Sequence, residues 1–420
     1  MSNKKVNYVA LVTMCFIFAM ISFVTNMAAP FGNIWKGQYE WAAMMGNMMN
    51  FAAYLFMGIP AGMMLQKIGY KKTTLIALAL GFVGVFVQWL SSRSFVADAA
   101  IYVYLLGAFI CGFCVCMLNT VVNPMLNLLG GGGNKGNQFI QIGGTLNSLT
   151  GTLTPLLVGA LIGTVTAQTS MLDVAPLLFI AMGVFALAFI IISFVAIPEP
   201  AAERKSVKYE KSALSFRHCL LGVIAIFFYV GIEVGIPAEL NFYLTDLPGA
   251  GVAVAGAVVA VYWLLMMVGR AASAAISGKV STKTQIATVS AVAIILIVVG
   301  IFLPKDIMVN MPSYSVSGGF ALVNVPVSSL LFVLCGLCTS VMWGGIFNLS
   351  VEGLGKYTEQ ASGLFMTMVV GGGVMPLIQH SISTKIDAMT SYWLVVAMLA
   401  YILFYALLGS KNVNKDIKVD

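Results

Sequence analysis

Twelve apolar segments, each long enough to cross a lipid bilayer as a helix, follow one another along this chain. A membrane helix needs about 20 mainly apolar residues, and the segments that provide them are, to within several residues, 8–30, 41–66, 74–92, 99–129, 137–165, 175–197, 219–244, 250–277, 284–303, 328–353, 361–384 and 388–409. Only 9% of all residues are charged, against about a quarter in soluble domains. The segments lack the apolar–polar alternation of a membrane β-barrel. We therefore predict an all-α polytopic membrane protein with twelve transmembrane helices.

The second half of the chain repeats features of the first half. Asn26 and Pro30 recur, at one common offset, as Glu233 and Pro237, and a Cys-Gly-x-Cys pattern occurs once in each half. Repeats that share an orientation place a substrate site near the middle of the membrane, between two helix bundles. We predict two pseudo-symmetric six-helix bundles with a charged cytoplasmic linker between them, the three parts being residues 1–198, 219–420 and 199–218.

Basic residues concentrate on one side of this predicted topology. If both termini are cytoplasmic, four of the 22 lysines and arginines lie outside, namely Lys36, Arg93, Lys305 and Lys385. The asymmetry satisfies the positive-inside rule. It predicts a multi-pass protein of the bacterial cytoplasmic (inner) membrane with both termini in the cytoplasm. Topology accounts for the net charge of +7, so no nucleic-acid partner is expected.

The sequence lacks the clustered side chains that enzyme, metal or nucleotide sites need. The two Cys-x-x-Cys pairs have apolar neighbours and no nearby histidine, which favours helix packing over metal or redox chemistry. Two distant histidines and no acidic cluster argue against a membrane-embedded enzyme, which with a lipid scramblase is the non-transport alternative. The absence of a Gly-x-x-x-x-Gly-Lys-Ser/Thr loop disfavours a nucleotide-driven pump. We expect no cofactor and no metal.

The connection after the second segment carries a recognisable motif. Residues 62–72 read Gly-Met-Met-Leu-Gln-Lys-Ile-Gly-Tyr-Lys-Lys. This resembles the signature of the major facilitator superfamily, Gly-x-x-x-Asp-Arg/Lys-x-Gly-Arg/Lys-Arg/Lys, with Gln66 in place of the aspartate. The resemblance implies an inner gate that contains Gln66, Lys67, Lys71 and Lys72. The lost charge at position 66 implies that the ion pairs of this gate differ from those of the family.

A narrower resemblance covers most of the chain. It is carried by Asn123-Pro124, Asn147-Ser148, Glu233, Gly269-Arg270 and the stretch Met-Trp-Gly-Gly-Ile-Phe-Asn-Leu at 342–349. These features resemble the fucose–galactose–glucose:proton symporter family, which implies a sugar importer with a polar central cavity. Two membrane-embedded carboxylates of that family correspond here to Asn26 and Asn119, and one of its glutamines corresponds to Gly144. The resemblance therefore leaves the coupling ion and the sugar open.

Asparagines of the fourth segment are the main candidates for substrate binding. Asn119, Asn123 and Asn127 are spaced by four, so they lie on one face of a helix, and amides offer the donors and acceptors that a polyhydroxyl ligand needs. Aromatic residues could pack against the apolar face of a sugar ring. Alternatively, the asparagines join helices, and tryptophans such as Trp343 and Trp263 lie at the membrane interface. The predicted substrate-binding set is Asn26, Asn119, Asn123, Asn147, Tyr229, Trp343 and Asn348.

Glu233 is the candidate for energy coupling. It lies near the middle of its apolar segment, where an ionisable group is costly and by default marks a substrate or ion path. We predict that it takes up a proton on one side of the membrane and releases it on the other. The alternatives are a purely structural carboxyl group, a ligand of a coupling sodium ion, or a facilitator that uses no coupling ion.

The other polar residues are predicted to have secondary roles. Glu239 and His218 are expected to reach solvent, Glu352 to form a gate ion pair, and Arg270 to be structural, while His380 is not expected to contact the substrate. An acidic sugar such as sialic acid or a hexuronate would need a cation in the cavity, and only Arg270 is near. The predicted function is cation-coupled import of a small sugar, with uncoupled facilitation or transport of an acidic sugar as alternatives.

Overall fold

A computed structural model gives the architecture of the chain. It describes residues 7–27, 31, 34–35, 38–39, 42, 45–93, 99–162, 169–199, 211–245, 247, 251–315, 319–414, 417 and 419. Pro30, Lys36 and most of the predicted linker, residues 200–210, lie outside this described part.

Helices make up nearly all of the described structure. They are α1 (Tyr8–Asn26), α2 (Met45–Leu90), α3 (Ala100–Leu129), α4 (Gly133–Ile162), α5 (Ala175–Phe194), α6 (Arg217–Thr245), α7 (Gly251–Ile276), α8 (Thr282–Phe302), α9 (Val327–Thr339), α10 (Met342–Val351), α11 (Thr358–Thr367), α12 (Gly371–Lys385) and α13 (Ala388–Phe404). Ten helical stretches of the described chain are long and apolar enough to cross a membrane. The helical prediction is therefore confirmed for the membrane-spanning part.

Helix α2 contains two of the predicted segments. Its 46 residues correspond to about 69 Å of helix, more than twice the hydrocarbon thickness of about 30 Å. Gly69, with φ of 83° and ψ of 176°, interrupts the helical geometry, and glycine adopts this backbone conformation without steric cost. The predicted segments 41–66 and 74–92 thus lie on either side of a kink at Gly69.

Two other predicted segments are broken near their middles. The segment 328–353 is divided into α9 and α10 close to Val341, and the segment 361–384 into α11 and α12 by a 3₁₀ turn at Met368–Val370. A break at membrane depth is tolerated where other groups satisfy the freed backbone. Here the Val341 carbonyl oxygen accepts a helical bond from the Gly345 N–H at 3.2 Å and a second hydrogen bond from Nε2 of Gln141 at 3.0 Å, so the region of the break also contacts α4.

The connection between α8 and α9 departs from the all-helical prediction, because it forms a β-hairpin. Strands β1 (Met308–Ser315) and β2 (Gly319–Pro326) are antiparallel, with Met308 opposite Pro326. Val325 is fully buried, and the hairpin packs against α7 and α9. The sequence analysis predicts no element between the segments that end at 303 and begin at 328, because a short strand gives a much weaker sequence signal than a membrane helix.

Most helix contacts join helices on the same side of the predicted linker, and we call α1–α5 the first helix group and α6–α13 the second helix group. In the first group, α1 packs on α3 and α4, and α2 packs on α3 and α5; in the second group, α6 contacts α7, α12 and α13, while α8 contacts α9 and α13. Contacts between the two groups connect α4 with α7 and α10, and α11 with α2 and α3.

The two groups approach closely where α2 meets α11. A Cβ atom on Gly62 would lie 2.9 Å from the carbonyl oxygen of Glu359 and 2.9 Å from the Cα of Gly363, so the backbones can meet only because glycines are present. This contact lies near the kink of α2. Because Glu199, at the edge of the predicted linker, is bonded to that kink, we call this end of the molecule the linker end.

Candidate functional site

Glu233 and Arg270 form an ion pair in the second helix group. Nη2 of Arg270 donates to Oε1 of Glu233 at 3.2 Å, and the arginine and glutamate side chains are only 10% and 15% exposed. Glu233 lies well inside α6, and Arg270 lies well inside α7. An ionised carboxylate at this depth is costly unless it is paired. Arg270 supplies the opposite charge that Glu233 needs.

Arg270 also reaches α4 of the first helix group. Its Nη1 donates to Oγ of Ser148 at 2.8 Å and to the carbonyl oxygen of Gly144 at 3.3 Å, and Oδ1 of Asn147 lies 3.5 Å away. A Cβ atom on Gly144 would lie 3.4 Å from Cδ of Arg270, so a longer side chain there would compete with the arginine for space. The guanidinium group therefore connects α4, α6 and α7.

The observed contacts of Arg270 are all with protein groups, and the expectation that it is structural stays a prediction. Glu233 lies 37 positions earlier in the chain, and only the packing of α6 against α7 brings the two side chains together. The sequence does contain a signal for such a partner. An arginine inside an apolar segment requires an acceptor, and an isolated carboxyl group in the neighbouring segment is the natural one.

Tyr229, which is fully buried, and the half-buried Trp343 form an aromatic pair beside the ion pair. Tyr229 lies one turn before Glu233 on α6 and interacts electrostatically with it. The Tyr229 and Trp343 ring centroids are 6.2 Å apart. Nε1 of Trp343 donates to Oδ1 of Asn123 at 3.0 Å, which fixes the indole on α10 against α3. The structure thus brings these three predicted binding residues together.

Each asparagine of the predicted ladder already has a hydrogen-bonding partner. Nδ2 of Asn119 donates to the Tyr54 hydroxyl at 2.8 Å, and Nδ2 of Asn123 donates to the Asn119 carbonyl at 2.8 Å. Nδ2 of Asn127 donates to Oδ1 of Asn348 at 2.6 Å. In the arrangement observed, the ladder joins helices, and its role towards a substrate stays a prediction.

Uncharged side chains join the two groups closer to the linker end. Besides the Asn127–Asn348 bond, Nδ2 of Asn137 donates to Oγ of Ser277 at 3.0 Å. Gln141 adds the bond to the Val341 carbonyl described above. Amides and hydroxyls keep the same protonation state near neutral pH. We call these residues the amide latch: Asn127, Asn137, Gln141, Ser277, Val341 and Asn348.

Two further residues of the predicted set bond mainly within the first group. Nδ2 of Asn26 donates to the carbonyl oxygen of Ser22 at 2.8 Å and to its Oγ at 3.1 Å. Nδ2 of Asn147 donates to the carbonyl oxygen of Phe18 at 2.7 Å. Only the Oδ1 atom of Asn147 therefore lies towards the ion pair. The side-chain bonds of Asn26 are to Ser22, within α1.

Two residues that were expected to reach solvent are buried. Glu239 is 2% exposed, and its Oε2 lies 3.2 Å from Nδ1 of His380. His218 is fully buried, and its Nε2 is 3.0 Å from the Glu352 carbonyl oxygen. The expectation failed because position along a helix does not reveal which face a neighbouring helix covers. The Glu352 side chain is exposed and forms no ion pair within the described chain.

The predicted inner gate lies around the kink at Gly69. The Glu199 carboxylate accepts hydrogen bonds from the backbone N–H groups of Tyr70 and Lys71, both at 2.7 Å. Free N–H groups at the start of a helix favour such an anion. Nζ of Lys71 donates to the carbonyl oxygen of Ser193 at 2.8 Å. The other predicted gate residues, one half-buried and two exposed, are Gln66, Lys67 and Lys72.

Among the residues that the structure describes, the cysteines and acidic residues form no visible metal centre. All seven cysteines are buried and free of disulfides. Within the described ranges, no group of three or more histidine, cysteine, aspartate or glutamate residues could hold a metal ion.

Comparisons with known proteins place this architecture in a family. The family model described as the Major Facilitator Superfamily matches residues 9–376. A glucose/galactose transporter of Brucella abortus biovar 1 (strain 9-941) is 30% identical and covers 98% of this chain and 96% of its own length. An L-fucose-proton symporter of Escherichia coli (strain K12) is 21% identical over 84% of this chain and 81% of its own length.

A solved structure shows the same fold. The crystal structure of the E. coli fucose:proton symporter FucP aligns with a TM-score of 0.80 and 18% sequence identity, covering 96% of this chain and 98% of that one. Together, the family match and the identity over nearly the whole chain fix the class of protein. The chain belongs to the Major Facilitator Superfamily, and it is a multi-pass membrane transporter and not an enzyme.

Proposed function

We propose that this transporter imports a small neutral sugar across the bacterial cytoplasmic membrane by alternating access, coupled to a cation. The named relatives, a glucose/galactose transporter and an L-fucose-proton symporter, favour a hexose or deoxyhexose. In this proposal, twelve helices form bundles at 1–198 and 219–420, with a cytoplasmic linker at 199–218. The distribution of lysine and arginine supports cytoplasmic termini, so the linker end is the cytoplasmic end.

The observation that carries the proposal is the buried ion pair of Glu233 and Arg270, which contacts both helix groups. A transporter with two bundles exposes a central site to each side in turn as the bundles rock. One positive and one negative charge leave the site neutral overall. Such a site suits a neutral polyhydroxyl ligand, because sugar hydroxyls can donate to the carboxylate and accept from the guanidinium.

The same pair disfavours an acidic sugar. A substrate carboxylate would have to compete with Glu233 for Arg270. If it succeeded while Glu233 is ionised, Glu233 would be left as a buried charge without a partner, which costs several kcal/mol (about 3–5). Tyr229 and Trp343 support a neutral sugar as well, since an aromatic ring can cover the apolar face of a pyranose.

The contacts between the groups support an arrangement that is closed to the cytoplasm. The amide latch and the close approach of Gly62 to Gly363 both lie towards the linker end. In this arrangement the substrate enters from the outside. Glu233 would be loaded with a proton there and unloaded once the bundles have opened the site inward.

Uptake by proteoliposomes tests the proposed substrate and ion. We expect glucose, galactose or fucose to compete for uptake better than glucuronate or sialic acid, and we expect accumulation with a proton gradient but not with a sodium gradient. Stronger competition by the acidic sugars would contradict the neutral site. Equal uptake with and without gradients would indicate a facilitator.

The Glu233→Gln variant tests the coupling residue. A proton symporter should lose uphill accumulation but keep counterflow exchange, because exchange needs no net proton movement. Glu352→Gln, which removes an exposed carboxylate at the linker end, is the matched control and should behave like the parent. If Glu233→Gln still concentrates sugar when a proton gradient is the sole driving force, Glu233 is not the coupling residue.

A further inference from the structure

We propose that the membrane-facing side of α12 is a binding site for one anionic phospholipid, with the headgroup at Lys385 and an acyl chain along the helix. The site lies at the end of the molecule opposite the linker end and is independent of the proposed sugar and coupling ion. A groove with a volume of about 390 Å³ runs along this side of α12. It is lined by Leu377, Ile378, Ser381, Ile382, Lys385 and Ile386.

The groove side of α12 differs from the side that packs against protein. Helix α12 packs on α6 through a side on which Met375 and Gln379 are only 6% and 1% exposed. The groove residues recur at intervals of three and four along the chain, so they share a different face of the helix. On that face Leu377 and Ile386 are 55% and 67% exposed. Aliphatic side chains exposed on a transmembrane helix meet lipid tails, which are equally apolar.

One charged side chain stands at the end of this apolar face. Lys385 is the last residue of α12, is exposed and forms no ion pair within the described chain. Asp387, two residues later, has another role, because its carboxylate accepts the Thr390 N–H at 3.1 Å at the start of α13. Lys305 interacts electrostatically with that carboxylate. The ammonium group of Lys385 is therefore placed to meet a lipid phosphate at the end of the groove.

Aromatic residues at this end indicate the level of the lipid headgroups. Trp393 on α13 is 44% exposed, and its ring packs edge to face on Phe302 at the end of α8, with the centroids 6.1 Å apart. Tryptophan prefers the membrane interface, and a lysine side chain is long enough to extend to the same level. Lys385 is also one of the four basic residues predicted on the outside, against the positive-inside rule. Contact with an anionic headgroup gives this charge a function.

The chemistry of the groove favours an anionic phospholipid over two other occupants. Basic residues beside membrane helices attract anionic headgroups. A zwitterionic lipid has the same acyl chains, but its own cation reduces the attraction to Lys385. A second copy of the chain, packed through the same face, would bring its own Lys385 close to the first one, since a two-fold contact places the same patch on both subunits.

A lipid in this groove would support the contact between α12 and α6. On the packed side of α12, Gly231 and Gly235 of α6 leave room for Met375 and Gln379, and the same α6 carries Glu233. A ligand that binds only the folded protein stabilises it by mass action. We therefore expect an anionic phospholipid to raise the unfolding temperature more than a zwitterionic one does.

The test uses the full-length protein purified in detergent. Native mass spectrometry counts the bound lipid while dioleoyl phosphatidylglycerol or dioleoyl phosphatidylcholine, which have the same acyl chains, is added. We expect one phosphatidylglycerol to bind more tightly than phosphatidylcholine. Lys385→Gln should weaken that binding about fivefold, the effect of one lysine near an anionic lipid. It should also reduce the stabilisation by phosphatidylglycerol in thermal unfolding.

Three further variants separate the groove from the charge. Ser381→Phe places a ring where the acyl chain would lie and should weaken the binding of both lipids. Lys385→Arg keeps the positive charge and should bind like the parent. Lys305→Gln removes a positive charge at the same end but outside the groove, so this matched control should also bind like the parent. Thermal unfolding without added lipid verifies that each variant is folded.

The outcomes decide between the possible occupants. Selective binding of phosphatidylglycerol that Lys385→Gln and Ser381→Phe weaken, and the other two variants keep, supports the lipid site. Equal binding of the two lipids by the parent, or parent-like binding by Lys385→Gln or Ser381→Phe, overturns it. Dimers without bound lipid would show that a second copy covers the groove and would also overturn it. Neither measurement uses sugar, so failure of the lipid site leaves the proposed transport intact, and failed sugar uptake leaves the lipid site intact.

Discussion

The two helix groups are joined by two regions with different chemistry. The ion pair and its bonds to Ser148 and Gly144 contain a group that can gain a proton and a guanidinium that stays charged. The amide latch contains amides, a hydroxyl and a backbone carbonyl. Protonation can therefore alter the first region directly, whereas the second has the same bonds at any pH near neutrality.

In the proposed proton-coupled transport, this difference would give the two regions separate tasks. A proton-coupled carrier needs one site where protonation changes which hydrogen bonds and ion pairs form. It also needs contacts at the closed end of the carrier that a change in cytoplasmic pH does not break. The free-energy cost of losing one partner also differs between the two regions. Removing one partner of a buried ion pair costs about 3–5 kcal/mol, whereas hydrogen bonds between membrane helices average about 0.6 kcal/mol.

The largest effect is expected from Arg270→Ala. It leaves Glu233 ionised and unpaired, and it also removes the bonds to α4, so we expect uptake to fall at least about 100-fold, in line with a loss of about 3 kcal/mol or more. Thermal unfolding of the purified protein and uptake by proteoliposomes measure the two effects. Adding Glu233→Gln should restore much of the stability but not accumulation. Parent-like uptake by Arg270→Ala would contradict the ion pair as the centre of the site.

Gly62→Ala should have the next largest effect. It tests whether the amide latch depends on the close approach of α2 to α11 at the same end of the molecule. The new Cβ would lie 2.9 Å from a backbone carbonyl of α11, so α2 must move away, and such overpacking costs about 1–3 kcal/mol. We expect a lower unfolding temperature and slower uptake.

Gly183→Ala is the matched control, because a Cβ there has nothing within 4 Å. This control should resemble the parent or be slightly more stable, since alanine favours helix over glycine by about 1 kcal/mol. Equal behaviour of the two variants would show that α2 and α11 do not need to meet so closely.

The sequence reveals only part of the region that contains the ion pair and its bonds to Ser148 and Gly144. Glu233 stands out because a carboxyl group in an apolar segment is rare and costly. Its pairing with Arg270 depends on how α6 packs on α7, and the contact of Arg270 with Ser148 spans 122 positions of the chain. No spacing within one helix encodes such contacts. The burial of Glu239 by α12 was missed for the same reason.

The amide latch shows the complementary limit. The four-residue spacing of Asn119, Asn123 and Asn127 correctly implies one helix face, but it does not say what that face meets. The structure supplies Trp343 and Asn348 from 220 and 221 positions away. Helices were therefore readable from local hydropathy, whereas the partners of each polar side chain were not.

A double-mutant cycle on Asn127 and Asn348 tests the latch itself. Asn127→Ala leaves Oδ1 of Asn348 without its donor, and Asn348→Ala leaves Nδ2 of Asn127 without its acceptor and also removes the bond of Asn348 to Oγ1 of Thr282 at 3.2 Å, so each should cost about 1–2 kcal/mol. The coupling between the two should be about 0.6 kcal/mol and at most about 1.7 kcal/mol. Because amides do not titrate, the coupling measured by thermal or denaturant unfolding should be the same at pH 5.5 and pH 7.5. If the coupling free energy differs between pH 5.5 and pH 7.5, the amide latch responds to protonation and no longer differs from the ion pair in this respect.

Glu199→Gln should have the smallest effect, and it tests whether any carboxylate at a helix contact would make transport sensitive to protons. Glu199 bonds two backbone N–H groups at the kink of α2, and both partners belong to the first helix group. Glutamine keeps one oxygen acceptor but loses the negative charge at a helix start, which costs about 0.3–1 kcal/mol. We therefore expect a slightly lower unfolding temperature and an unchanged pH dependence of uptake, whereas Glu233→Gln should abolish that dependence. If Glu199→Gln alters the pH profile as much as Glu233→Gln does, proton sensitivity is not confined to the contact between the groups, and the division of tasks between the ion pair and the amide latch is wrong.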